Sequence, residues 1–77
     1  MNAEIKKHKK AIDKALADPR TYRGEVNQSQ FWNKFGVTQS GGSRYENGRD
    51  MDKPLCTLIA LDVMGHGDLV TELVALV

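Results

Sequence analysis

The 77-residue chain has little of what usually announces chemistry or location: one cysteine, two histidines, two prolines, one tryptophan, two tyrosines and two phenylalanines. A lone Cys56 cannot close an internal disulfide, which fits a reducing compartment. His8 and His66 lie in separate segments, with no cysteine pair or carboxylate at ligand spacing, so no zinc or other metal site is expected. No apolar run approaches the ~18 residues of a membrane span. The N-terminal MNAEIKKHKKA is basic but has no apolar stretch behind it, unlike a signal peptide. Gly65-His66-Gly67 falls short of a phosphate loop and reads as a turn, and Cys56 reads as a small buried hydrophobe. No enzyme chemistry, cofactor or small-molecule ligand is indicated, and a soluble cytoplasmic protein is expected.

What is present supports one small helical domain. Apolar residues make up 40% of the chain, enough for a modest core and too many for a disordered one. At this length a chain is near the lower end of what folds alone, and dimerisation would relieve the difficulty. Net charge is only +1, but it is unevenly spread. Residues 1–24 hold seven Lys/Arg against three Asp/Glu, residues 25–49 three against two, and residues 50–77 one against five. One end is basic and the other acidic, as in a protein that offers one face to a polyanion.

From Ala3 to Ala17 the pattern is helical, with Ile5, Ile12, Ala15 and Leu16 to one side and Lys6, Lys10 and Lys14 in a stripe on another. That stripe reads either as a solvated face or as phosphate contact. Pro19 ends the helix and biases Asp18 out of it, so Asp18–Val26 is expected to be a linker, with a short turn inside Arg20–Val26 left open. A helix is expected from Gln28 to Phe35, capped by Asn27, with Phe31, Trp32 and Phe35 on its apolar side. Gly36 stops it in the left-handed conformation that closes helices, Val37 plugs the turn, and Thr38 caps a second helix from Gln39 to Asn47, ended by Gly48. Helix, three-residue turn and helix form a helix-turn-helix.

Pro54 is suited to the first turn of a further helix carrying Leu55, Leu58, Ile59, Leu61 and Val63. Asp68 is a plausible cap for a last, largely apolar helix to the C-terminus. The reading is therefore all-α: a single domain, 1–77, of about five helices, with a helix-turn-helix core at 27–48 and a terminal helix at 68–77.

The stretch NQSQFWNKFGVTQSGGSRYENG, followed by Pro54, resembles the helix-turn-helix of the phage Cro and repressor family, the xenobiotic-response-element class of bacterial regulators. The likeness runs from Asn27 to Val63. It rests on Gln28, Phe31-Trp32, Phe35-Gly36-Val37-Thr38-Gln39-Ser40 and Ser43-Arg44-Tyr45-Glu46-Asn47-Gly48. It implies that Gln28 bonds a backbone phosphate and braces Gln39, and that Gln39 pairs bidentately with an adenine edge in the major groove. By the same resemblance Ser40 and Ser43 lie on the exposed face, Arg44 reaches a phosphate or a guanine, and Asn47 touches phosphate. Thr38 and Gly41 complete the DNA-binding set at the head of the helix. Arg44 is equally able to pair with a surface carboxylate.

Two positions depart from that pattern. Trp32 stands where a small alanine is usual, and Gly42 where a branched apolar residue is usual. Either the helices pack further apart, or the ring is partly exposed with its N–H to solvent or a partner. The expectation is that the indole fills the space left by Gly42.

The function that follows is a sequence-specific DNA-binding transcriptional regulator of bacterial or phage kind, a repressor reading a palindromic operator as a homodimer. Leu69, Val70, Leu73, Val74 and Val77, with Leu76, exceed what one side of a small core needs and would form the dimer contact. The alternative is a protein-binding module that keeps the helix-turn-helix fold, such as an antitoxin-like partner.

Overall fold

Capping chemistry sets most of the element boundaries in the computed structural model, which describes residues 2–77. Its helices are α1 (Ala3–Ala17), α2 (Pro19–Arg23), α3 (Gln28–Lys34), α4 (Gln39–Glu46), α5 (Lys53–Val63) and α6 (Gly67–Ala75), with no strand among the described residues. The chain is all-α as expected, with six helices rather than five.

The additional helix lies in the expected linker. Asp18 ends α1 in a non-helical conformation (φ −144°, ψ 74°) and also caps α2, accepting the Thr21 N–H at 3.2 Å. Pro19 then occupies the first turn, where its missing N–H needs no partner. The proline that stops one helix starts the next. Five residues are too few to show a periodic pattern, and Asp18 and Pro19, read from the sequence as the end of α1, are also the only start signal of α2.

The helix-turn-helix is closed by local bonds at both ends. Asn27 Oδ1 accepts the N–H groups of Ser29 and Gln30 to start α3. Gly36 sits at φ 76°, allowing the Val37 N–H to reach the Trp32 carbonyl at 3.0 Å and its own N–H to reach that of Asn33. Thr38 Oγ1 accepts the Gly41 N–H at 3.1 Å and starts α4. Gly48, at φ 105°, closes α4 in the same way, with the Arg49 N–H on the Arg44 carbonyl.

Two later boundaries move. Asp52 caps α5, so that helix begins at Lys53 with Pro54 inside its first turn. His66 occupies the cap position of α6 without a side-chain bond to the helix, and Asp68 falls in the first turn instead of capping it. There its charge favours the positive end of the helix dipole.

α1 packs on α5, α3 on α4 and α6, and α5 on α6, around a core of Ala15, Phe31, Trp32, Phe35, Leu55, Ile59 and Val70. Phe31 is its aromatic centre, edge-on to Tyr22, Trp32 and Phe35 at centroid distances of 6.0, 5.1 and 5.0 Å. Burying each large apolar side chain contributes about 1.5–3 kcal/mol, a large share of the ~5–15 kcal/mol that holds a small domain. A polar tie supplements the core: Asp62 on α5 accepts from the Tyr22 hydroxyl of α2 and from Lys34 of α3.

α6 commits more of itself to this core than its composition suggests. Val70 is fully buried and Val74 is half-buried against the cluster. Val70 therefore cannot belong to a dimer surface, as the sequence had suggested. Because α6 is apolar on nearly every side, its pattern did not show which side faces inward.

Candidate nucleic-acid interface

The two faces of α4 divide its residues by chemistry. Gly42 is buried and Tyr45 and Glu46 are half-buried toward α2 and α3, whereas Gln39, Ser40, Arg44 and Asn47 are exposed and Ser43 is half-exposed beside them. The spacing of the outer set, three and four residues apart, places it on one stripe. The side chains of Ser40, Ser43 and Arg44 make no hydrogen bond or ion pair among the described residues, so Arg44 is not paired with a surface carboxylate. Asn47 donates from Nδ2 to the Ser43 carbonyl at 2.8 Å, and its Oδ1 has no hydrogen-bond partner among the described residues. Thr38 Oγ1 is engaged in the cap, and Gly41, in the first turn, is half-buried. Eight helical residues span ~12 Å, close to the width of the major groove of B-DNA.

The inner face holds the helix by an unusual fit. Trp32 is fully buried, and a Cβ added at Gly42 would lie 2.2 Å from its Cγ and Cδ1. The indole occupies the volume that a side chain at 42 would need, as expected from the pairing of these two departures. The ring is not exposed. Its N–H donates to Glu46 Oε2 at 2.7 Å, and the ring lies 5.6 Å from that of Tyr45.

Glu46 gathers further donors. Arg23 of α2 approaches both carboxylate oxygens, with Nε 2.9 Å from Oε2 and Nη2 3.3 Å from Oε1, and Gln28 Nε2 donates to Oε1 at 3.1 Å. Its side chain is only 5% exposed. Desolvation pushes the Glu46 carboxyl up, but the bonds from Arg23, Trp32 and Gln28 together outweigh it and hold the group below the ordinary carboxylate range. The carboxylate is thus ionised, and its charge is compensated by Arg23 rather than turned toward the outer face. Gln28 also accepts from Gln39 Nε2 through its Oε1 at 3.3 Å, the bracing contact that the resemblance implied.

An eight-residue helix with a polar outer stripe, seated by a short turn on a helix with which it shares a paired glutamine, is the decisive arrangement. The RsaL-like HTH domain family matches residues 19–62, more than half of the chain, from the first residue of α2 to the penultimate residue of α5. The chain belongs to the RsaL-like helix-turn-helix domain family. No curated protein and no solved structure matches the chain. The match opens at Pro19, so the RsaL-like unit includes α2, the element that supplies Arg23 to Glu46. Membership supports a DNA-binding helix-turn-helix regulator.

Of the eight residues singled out from the sequence, the RsaL-like domain brings Gln39, Ser40, Ser43, Arg44 and Asn47 together on the outer face of α4, with Gln28 directly behind Gln39. Thr38 and Gly41 serve its first turn. Sequence reasoning missed Arg23 and Glu46. Trp32 was the available signal, since a tryptophan forced into a small core needs an acceptor for its N–H, and Glu46 is the carboxylate at the end of the neighbouring helix.

Proposed function

We propose that this protein is a sequence-specific DNA-binding transcriptional regulator, a repressor of the Cro/repressor kind, that reads the major groove with α4. The observation that carries the reading is the outer stripe of α4, polar and largely unpartnered, backed by the Gln28–Gln39 pair. Gln39 is the base reader, its amide matched to an adenine edge. Gln28 keeps a second amide hydrogen free for a phosphate. Ser40, Ser43 and Arg44 supply short and long contacts along the groove, Asn47 meets the backbone at the end of the helix, and Thr38 and Gly41 bring the helix start close to the DNA. In a band-shift titration the wild type is expected to favour one short site, with affinity falling steeply as salt rises. Gln39→Ala should cost roughly 1–3 kcal/mol of discrimination at one base pair while non-specific binding holds. A wild type without sequence preference at low salt would overturn the reading in favour of a protein-binding role.

The operator is a palindrome bound by a homodimer, with reading helices ~34 Å apart. Leu69 and Leu73 on α6 are 42% and 38% exposed, and Leu76 and Val77 more so. Their spacing makes one apolar stripe. Beside it runs an open groove of about 450 Å³, lined by Leu58, Leu73, Val74 and Val77 among others. Contiguous apolar surface of this kind on a small domain marks a partner site. Leu69→Lys with Leu73→Lys should reduce the sedimentation mass to that of a monomer while helical content is kept. An unchanged mass for the folded variant removes this dimer contact.

A further inference from the structure

Glu46 touches no solvent-facing contact of α4, yet it stands at the end of a directed chain of amide bonds that reaches the base reader. A carboxylate only accepts hydrogen bonds. Gln28 must therefore turn its NH₂ toward Glu46, at 3.1 Å, and its carbonyl away from it. That carbonyl faces Gln39, which must turn its own NH₂ inward, at 3.3 Å. With one amide hydrogen so engaged, Gln39 has its carbonyl and its second N–H left for the groove, in a single order. Adenine presents N7 as acceptor and N6 as donor in a fixed order too. A reversed Gln39 amide would set its carbonyl against N7, acceptor against acceptor.

We propose that Glu46 is a positioning residue that fixes the polarity of the Gln28 and Gln39 amides and so selects adenine at the base pair Gln39 meets. The inference rests on the reading of Gln39 as base reader. Glu46 can hold this role because it is itself immobilised: Trp32 and Arg23 bind Oε2, Arg23 also approaches Oε1, and the side chain is almost wholly buried. Its ionised state follows from the same donors.

Glu46→Gln tests the idea, because it keeps the shape and reverses the logic. Trp32 and Arg23 share Oε2 as donors, so the new amide would keep its oxygen there and set its NH₂ toward Gln28. Gln28 would then flip, and Gln39 after it. The measurement is the dissociation constant for the selected operator and for operators with the contacted A·T pair replaced, compared with non-specific DNA, at a temperature where circular dichroism shows the variant folded. Glu46→Gln should reduce the adenine preference roughly tenfold or more while non-specific affinity stays within about twofold. In a Gln28→Met background, where the relay is cut, adding Glu46→Gln should change the preference less than twofold.

An equal loss of affinity for every sequence, a retained adenine preference, or an undiminished effect in the Gln28→Met background each overturns the proposal. If Glu46→Gln does not fold, Gln28→Met keeps the proposal falsifiable: it leaves the Arg23 and Trp32 bonds to Glu46 in place, and an adenine preference retained in that variant overturns the relay. The reading of the base contact is tested separately. If Gln39→Ala abolishes the preference and Glu46→Gln does not, only the relay fails; if the wild type has no preference, the reading itself fails.

Discussion

The inner and outer faces of α4 obey opposite rules within eight residues. The inner face is specified to a fraction of an ångström: Gly42 admits no side chain because Trp32 lies where a Cβ would be, and Glu46 receives four bonds from three residues. On the outer face the side chains of Ser40, Ser43 and Arg44 make no hydrogen bond or ion pair among the described residues. The difference shows that the helix is locked from behind so that its front can stay free. Changes behind should register as stability, and changes in front as binding.

Trp32→Ala should have the largest effect. Large aromatic truncations in a core cost about 3–5 kcal/mol, comparable to the whole stability of many small domains. This one also removes a donor from Glu46. The thermal midpoint should fall by roughly 15 °C or more, or the cooperative transition should vanish. A sharper form follows from the contact with Gly42. Gly42→Leu alone should destabilise by overpacking, by about 1–3 kcal/mol or more. In the Trp32→Ala background the same substitution should restore part of the lost stability, because it refills the cavity. If Gly42→Leu is equally harmful in both backgrounds, the two sites are not complementary, and the inner face is less specific than described.

Next in size is the response to acid. The Glu46 carboxyl is held below its ordinary value near 4.5 in the folded protein. The unfolded chain therefore binds a proton there that the native state refuses, and stability falls as pH falls. The contribution is fully present above pH ~4.5 and is lost as pH drops through the depressed value. Wild type and Glu46→Gln should differ most near neutrality, and their unfolding free energies should converge as pH falls below about 4.5. Asp18 is also held low, chiefly by its bonds from Thr21, and remains in both proteins, so it cancels from the difference. Curves that stay parallel would mean Glu46 is not the group that titrates.

This contrast also separates what the sequence discloses from what it conceals. Caps are local, and Asn27, Gly36, Thr38 and Gly48 placed the helix-turn-helix to within a residue of where it lies. The outer stripe was legible through the resemblance, and helical spacing agrees with it, since it puts residues 39, 40, 43, 44 and 47 on one side. α2 was hidden because one turn of helix has no period, although Asp18 and Pro19 mark both its start and the end of α1. Arg23 and Glu46 were hidden because their pairing joins residues 23 apart in sequence, through a geometry that exists only once α2, α3 and α4 have packed. The side of α6 that faces inward was hidden by an apolar composition that does not distinguish Val70 from Leu69.

Arg44→Ala should have the smallest effect on the protein and the most informative effect on binding. Exposed and unpaired, Arg44 contributes little to stability, and the variant should unfold within about 0.5 kcal/mol of wild type. Two binding outcomes separate its possible partners. If Arg44 meets a phosphate, affinity drops nearly equally for all sequences and the slope of log affinity against log salt loses about one unit. If it meets a guanine edge, specificity relaxes at one position by roughly 1–3 kcal/mol. Either result keeps the front of α4 as the binding face. A loss of stability comparable to that of Gly42→Leu, with binding intact once the variant is folded, would place Arg44 with the inner residues and break the division on which the proposed reading stands.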